Sequence, residues 1–230
     1  MIRLLCSALA CAALAAPPTP PLNVSFRTKD GWTISALYHK PGKGKPVAVL
    51  VHGAAAGKLE WNKLCAELWK LGFGTLALDL RGHGDSTAGP KGKRDFKDFD
   101  ATGEWPDAVE DIASAVGFLK KRGVKSIGLI GGSIGANLVS QSRAADPSVR
   151  WLVLLSPGED YRGVGVGDLS GRKAVAAASP GDAYAMQKAM ALGTTAGGPV
   201  FLQGQGARHG AQLIDDPEFL VKLLGWLRKL

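Results

Sequence analysis

The pentapeptide Gly131-Gly132-Ser133-Ile134-Gly135 constrains this chain more than any other feature, because it directly follows the apolar run Ser126 to Ile130. A strand that runs into Gly-x-Ser-x-Gly and on into a helix must turn tightly, and glycine at both ends leaves room for the chain to approach itself. The turn puts Ser133 at its tip with the hydroxyl exposed. A helix opening near Ile134 points its positive N-terminal end at the same place, which favours negative charge there. Alone the pentapeptide is weak evidence, since a chain with 31 glycines can hold a plain Gly/Ser turn by chance. Its weight comes from its surroundings.

Strand-length apolar runs alternate with helix-length amphipathic segments over residues 24–230. Val24 to Arg27 and Thr33 to Tyr38 alternate around Asp30-Gly31, the pattern of a hairpin. Val47 to Val51 and Thr75 to Leu80 are continuous apolar runs, as strands buried on both faces require. Between them Lys58 to Leu71 reads as a helix ended by Gly72. Gly82 to Glu104 reads as a long polar loop. Pro106 then opens a helix with the stripe Val109, Ile112, Val116 and Leu119, stopped at Gly123. The strand Ser126 to Ile130 leads into a helix from Ile134 to Ala145, ended before Pro147. Trp151 to Leu155, Ala174 to Ala178 and Val200 to Leu202 are further strands, with a helix from Tyr184 to Leu192 between the last two. Asp216-Pro217-Glu218 caps a final helix whose apolar face carries Phe219, Leu223 and Leu227. This alternation predicts an α/β fold of three layers, a mostly parallel central sheet with helices on both faces. Only the short Gly-rich loop Gly158 to Gly171 separates the Trp151 and Ala174 strands, so no sizeable lid is expected over a site at the sheet's C-terminal edge.

Residues 1–15 read as an export signal. Arg3 supplies the positive start, Leu4 to Leu14 is apolar and uncharged, and Ala13-Leu14-Ala15 fits a small-x-small cleavage site. Residues 16–23 read as a Pro-rich linker and 24–230 as a single domain, in a secreted or periplasmic protein. Cys11 raises a lipid anchor, against which Ala8 stands where such signals carry leucine. The apolar run is too short to span a bilayer well, so no stable membrane insertion is expected. Cleavage would remove Cys6 and Cys11, while Cys65 shares a helical face with Trp61, Leu64 and Leu68 and reads as core. No Cys/His cluster has metal-ligand spacing, and Gly163-Val164-Gly165-Val166-Gly167 lacks the helix start of a nucleotide loop, so neither metal nor cofactor is expected. The net charge is +8, but its densest stretch, Lys91, Lys93, Arg94 and Lys97, is broken by Asp95 and Asp98. A nucleic-acid partner would need a denser stripe. The charge reads as a solvated surface, with attraction of anionic substrates or surfaces as the second reading.

Five pieces stand in order along the chain: His52-Gly53, Asp79-Leu80-Arg81-Gly82-His83-Gly84-Asp85-Ser86, the Ser133 pentapeptide, Asp182 and His209. With them the chain resembles the α/β-hydrolase superfamily over residues 24–230, as a member without a cap domain. The resemblance implies that Ser133 is a nucleophile and that the triad runs Ser, acid, His. His39, His52 and His83 precede Ser133, which leaves His209, just beyond the Val200 strand. Two places are open for the acid: Asp182 after the Ala174 strand, and Glu159 or Asp160 after the Trp151 strand. Asp182 is preferred, because the strand before the His strand is the usual donor. The resemblance further implies an oxyanion hole made by the N–H groups of Ile134 and Ala54, with His52 orienting the Ala54 loop, and a structural turn at Asp79 to Ser86. The loop Thr87 to Gly103, with Phe96, Phe99 and Trp105, has two readings, a substrate wall or a loop packed against the body.

The activity expected from these residues is that of a serine hydrolase cleaving carboxylic esters of small soluble substrates through an acyl-enzyme. Thioester, lactone or amide hydrolysis and acyl transfer would use the same groups. The rival is a non-catalytic exported binding protein on the same scaffold. A lipase working on membranes is disfavoured by the missing lid and an aromatic content of 7%.

Overall fold

A computed structural model of the chain describes residues 20–142, 146–169 and 171–230. The expected export signal, residues 16–19 of the expected linker and the end of the helix expected over 134–145 lie outside the described residues. In chain order the elements are β1 (Leu22–Arg27), β2 (Thr33–His39), β3 (Val47–Val51), α1 (Asn62–Lys70), β4 (Gly74–Leu78), the short strands β5 (Ala88–Gly89) and β6 (Gly92–Lys93), the short helix α2 (Phe99–Thr102) and α3 (Val109–Lys121). There follow β7 (Ile127–Gly132), α4 (Ile134–Ser142), β8 (Val149–Leu155), the short strands β9 (Asp160–Tyr161) and β10 (Val164–Gly165), β11 (Lys173–Ala178), α5 (Ala183–Thr194), β12 (Val200–Gln203) and α6 (Pro217–Leu227).

Eight strands form one sheet in the order β1-β2-β4-β3-β7-β8-β11-β12. The first two pairings are antiparallel and all those from β4 to β12 are parallel. The chain leaves β3 toward β4 on one side and leaves β7 toward β8 on the other. That reversal opens a crevice at the C-terminal ends of β3 and β7, where ligands bind in open α/β sheets.

The continuous apolar runs serve two cores at once, because successive side chains of a strand face opposite ways. Val47, Val49 and Val51 of β3 pack into the core that holds Ile112 and Val116 of α3 and Leu138 and Val139 of α4. Ala48 and Leu50 face the other core, with Leu64 and Leu68 of α1 and Phe219 and Leu223 of α6. Cys65 lies in that second core. The expected three-layer fold is therefore the observed one. As expected, Asp216 caps α6, its carboxylate accepting from the N–H groups of Glu218 (3.0 Å) and Phe219 (3.2 Å).

Some boundaries differ from the sequence reading. Strand β1 begins at Leu22, inside the segment expected as linker, because Leu22 already pairs with Tyr38. The helix expected from Lys58 opens as a 3₁₀ turn, Lys58–Trp61, before α1. The polar loop after Gly82 is more structured than its composition suggests. It carries β5, β6 and α2, buries Phe99 and Trp105, and stacks Phe96 on His83 with ring centroids 4.1 Å apart. Those aromatics pack the loop against the body. Between β8 and β11 the described residues contain only β9 and β10, with no inserted helical domain. No helix among the described residues is long and apolar enough to cross a membrane.

Candidate active site

Ser133 sits between β7 and α4 with φ at 56°, a left-handed conformation that is costly for a residue with a side chain. The surroundings impose it. The Ser133 N–H donates to the Leu155 carbonyl at 2.9 Å. A Cβ at Gly131 would lie 2.1 Å from the Gly135 carbonyl oxygen, and one at Gly135 would lie 2.4 Å from that of Val51. Neither position can hold a larger residue without moving the backbone. Ser133 is left partly exposed at the C-terminal edge of the sheet. The N–H of Ile134 belongs to the first turn of α4, where helix donors have no intrahelical partner.

Asp182 and His209 follow the ends of β11 and β12, which are neighbours in the sheet. His209 Nδ1 lies 2.7 Å from Asp182 Oδ2, the aspartate side chain being 13% exposed. Asp182 occupies the N-cap position of α5, yet its carboxylate takes no hydrogen bond from that helix and turns to His209 instead. The sequence left Glu159 and Asp160 as alternatives. Glu159 reaches Lys188 (2.7 Å), and Asp160 accepts from the Gly163 N–H (2.8 Å). His209 is brought toward the serine by its neighbour Gly210, whose added Cβ would lie 3.5 Å from the Ser133 nitrogen. Among the described residues no hydrogen bond joins Ser133 Oγ to His209, a bond that often tightens only around substrate.

The loop after β3 abuts the same serine, since a Cβ at Gly53 would lie 3.3 Å from Ser133 Cβ. His52 is fully buried beneath this loop. Its Nε2 accepts from the Leu80 N–H (2.9 Å), so Nδ1 carries the proton and donates to the Gly53 carbonyl (2.7 Å). That carbonyl and the Ala54 N–H belong to one trans peptide and point opposite ways, so His52 fixes the direction of the Ala54 donor. His83 Nε2 holds the next peptide, 2.7 Å from the Ala54 carbonyl oxygen. The Asp79–Ser86 turn carries this support. Asp79 accepts from the Lys58 N–H (2.8 Å) and the Asp85 N–H (3.0 Å) and pairs with the Lys58 ammonium. Arg81 is buried against Asp111, with Nη2 2.8 Å from a carboxylate oxygen.

Burial, reinforced by the neighbouring His83, lowers the pKa of His52 from 6.5 to about 4. Between those values the unfolded chain binds the proton more readily than the folded one. Stability is therefore present above pH 6.5 and lost as the pH falls toward 4. A depression of this size corresponds to about 3 kcal/mol. Urea unfolding followed from pH 7 downward should show a loss of that order in the wild type. His52→Gln should start less stable and lose less over the same range.

Sequence reasoning missed the groups that hold the histidine loop. Ser156, buried with φ at 54°, accepts from the Gly210 N–H through Oγ at 2.9 Å. Ser179, also buried, donates to the Arg208 carbonyl at 2.6 Å. The residues on both sides of His209 are thus tied by serines from the ends of β8 and β11. The available signal was the repeated Ser-Pro-Gly, at 156–158 and 179–181. Tyr161 lies edge-on to His209, with centroids 6.2 Å apart. Burial and the nearby Asp182 raise its pKa, so its hydroxyl stays neutral and donates to the Ser156 carbonyl (3.3 Å). Among the described residues no group of His, Cys, Asp and Glu is arranged to hold a metal ion.

No curated protein matches the chain in sequence. Among solved structures, an esterase of Pyrococcus furiosus superposes with a TM-score of 0.70 at 18% identity, covering 91% of this chain and 90% of that one. An α/β hydrolase of Novosphingobium aromaticivorans gives 0.68 at 14% identity, over 92% and 99% of the two chains. A Xanthomonas campestris protein described as an α/β serine hydrolase without a lid gives 0.64 at 16% identity, over 92% and 94%. At these identities the likeness is one of fold. A model of the alpha/beta hydrolase family matches residues 48–228, which span the β3 loop, the Ser133 elbow, Asp182 and His209, and the chain belongs to that family.

Proposed function

We propose that the protein is a serine hydrolase that cleaves carboxylic esters of small soluble substrates through an acyl-enzyme. The observation that carries this reading is the Asp182–His209 hydrogen bond formed beside a strained, partly exposed serine. With Nδ1–H held by Asp182, His209 presents Nε2 as a base. It takes the Ser133 proton as Oγ bonds to the ester carbonyl carbon, and the π pair moves to the carbonyl oxygen. The N–H groups of Ile134 and Ala54 receive that oxyanion, each donor supplying on the order of 3 kcal/mol to the transition state. Collapse breaks the C–O bond to the alcohol, which leaves with the proton from Nε2. Water, deprotonated by His209, then attacks the acyl carbon, the bond from that carbon to Ser133 Oγ breaks to release the carboxylic acid, and Oγ takes the proton back from Nε2.

Two structural relatives, an esterase and a serine hydrolase without a lid, support this reading. The absence of an inserted helical domain among the described residues favours small, freely diffusing esters. Export, with residues 1–15 as the signal, is part of the proposal. The chain from Ala16 onward should hydrolyse p-nitrophenyl acetate and butyrate with saturation. A folded sample that turns over neither ester would favour the non-catalytic binding protein.

A further inference from the structure

Lys and Arg lie scattered along the sequence, but the fold gathers many of them at one edge. The parallel strands all start at the edge opposite the candidate active site, and each crossover returns the chain to it. Lys45 precedes β3, Lys125 precedes β7, Arg150 lies at the start of β8, Lys173 opens β11 and Lys229 follows α6, and all five are exposed. Lys173 and Lys229 each follow an arginine, Arg172 and Arg228. Of the carboxylates at this edge, Glu67 and Asp146 are paired with Lys70 and Lys120, and Asp168 stands in the segment that leads into β11. Elsewhere among the described residues carboxylates outnumber Lys and Arg, so this edge carries their positive excess. Favourable placement at helix C-termini accounts for Lys120 and Lys121, but not for Lys45, Arg150 or Lys173, which stand at strand starts.

The same edge is amphipathic. Leu22 (64%), Val200 (49%) and Leu230 (40%) are exposed there. Two recesses combine basic rims with apolar floors. One, of about 330 Å³, sets Lys43, Lys45 and Arg228 around Phe73 and Leu227. The other, of about 270 Å³, sets Arg172, Lys173 and Lys229 around Val200 and Trp226. Strand β1 also starts here, since its Leu22 pairs with Tyr38, next to the His39 that pairs with the start of β4. The segment before Leu22 therefore joins the fold on this side.

We propose that this edge docks the protein peripherally on an anionic phospholipid bilayer, with Ser133 and His209 turned to the solution. Phosphate groups match the basic rims, the exposed apolar side chains reach the headgroup boundary, and no helix inserts. A nucleic acid would match the charge but leave Leu22, Val200 and Leu230 without a partner. Each basic residue near such a surface strengthens binding about fivefold, within a Debye length that salt shortens.

The test is sedimentation of the chain from Ala16 with phosphatidylcholine vesicles, with and without an equal part of phosphatidylglycerol. Binding to the anionic vesicles alone, lost at high salt, is expected. Reversing Lys45, Lys125, Lys173 and Lys229 to glutamate should weaken it by roughly two orders of magnitude or more. The same change at Lys91, Lys93, Lys97 and Lys222 should leave most of the binding. A cooperative thermal unfolding transition checks that both variants are folded, whatever the protein's activity. The proposal fails if the anionic vesicles do not bind, if neutral vesicles bind as well, or if the second variant loses as much as the first. It fails equally if a DNA duplex binds and the vesicles do not.

Discussion

Ser133→Ala is expected to lower ester turnover by about 10⁴-fold or more while leaving thermal unfolding nearly unchanged. The two halves of this expectation have different causes. The hydroxyl is the only group at the elbow that can bond to the acyl carbon, so its removal ends the acyl-enzyme route. The fold does not use it: Ser133 Oγ accepts and donates no hydrogen bond among the described residues, so alanine leaves no buried partner unsatisfied. The strained φ of 56° is set by Gly131, Gly135 and the Leu155 carbonyl and is common to both residues. Residual hydrolysis above the uncatalysed rate would report the Ile134 and Ala54 donors alone. Turnover measured beside a melting curve checks both halves.

Asp182→Asn should reduce kcat by about 10⁴-fold, through His209. The aspartate accepts from Nδ1–H and so leaves Nε2 free to take the Ser133 proton. An asparagine amide offers an N–H to Nδ1, which drives the ring proton to Nε2 and removes the base. Geometry is nearly kept, so KM should change far less than kcat. Glu159→Gln and Asp160→Asn should remain near wild type, because those carboxylates engage Lys188 and the Gly163 N–H. A loss at either of them, with Asp182→Asn still active, would move the acid to the loop after β8.

The elbow could be read from the sequence because it is local: a strand, two obligatory glycines and a helix start lie within a dozen residues. The layers could be read because β3 and β4 are apolar on both faces, and only a sheet covered twice requires that. Strand order could not, since nothing local says that β4 returns to pair with β2. The same limit governs the site. Asp182 and Glu159 follow strands through the same Ser-Pro-Gly, and only the parallel pairing of β11 with β12 sets one of them against His209. Ser156 and Ser179 carried no role in the sequence reading, whereas their hydroxyls hold the backbone on both sides of the histidine. Lys58 read only as the first residue of a helix, yet it is buried on Asp79 beneath the loop after β3. The basic edge is dispersed in the sequence for a related reason. Its residues are a whole βα unit apart in the chain and become neighbours only when parallel strands align their starts.

The most direct test of the account is reaction of the folded chain with a fluorophosphonate, followed by mass spectrometry of the labelled peptide. A serine activated by His209 is expected to react once, at Ser133, and His209→Ala is expected to lose the label. A folded protein that stays unlabelled, or carries the label on another serine, would contradict the assignment of Ser133 as the nucleophile.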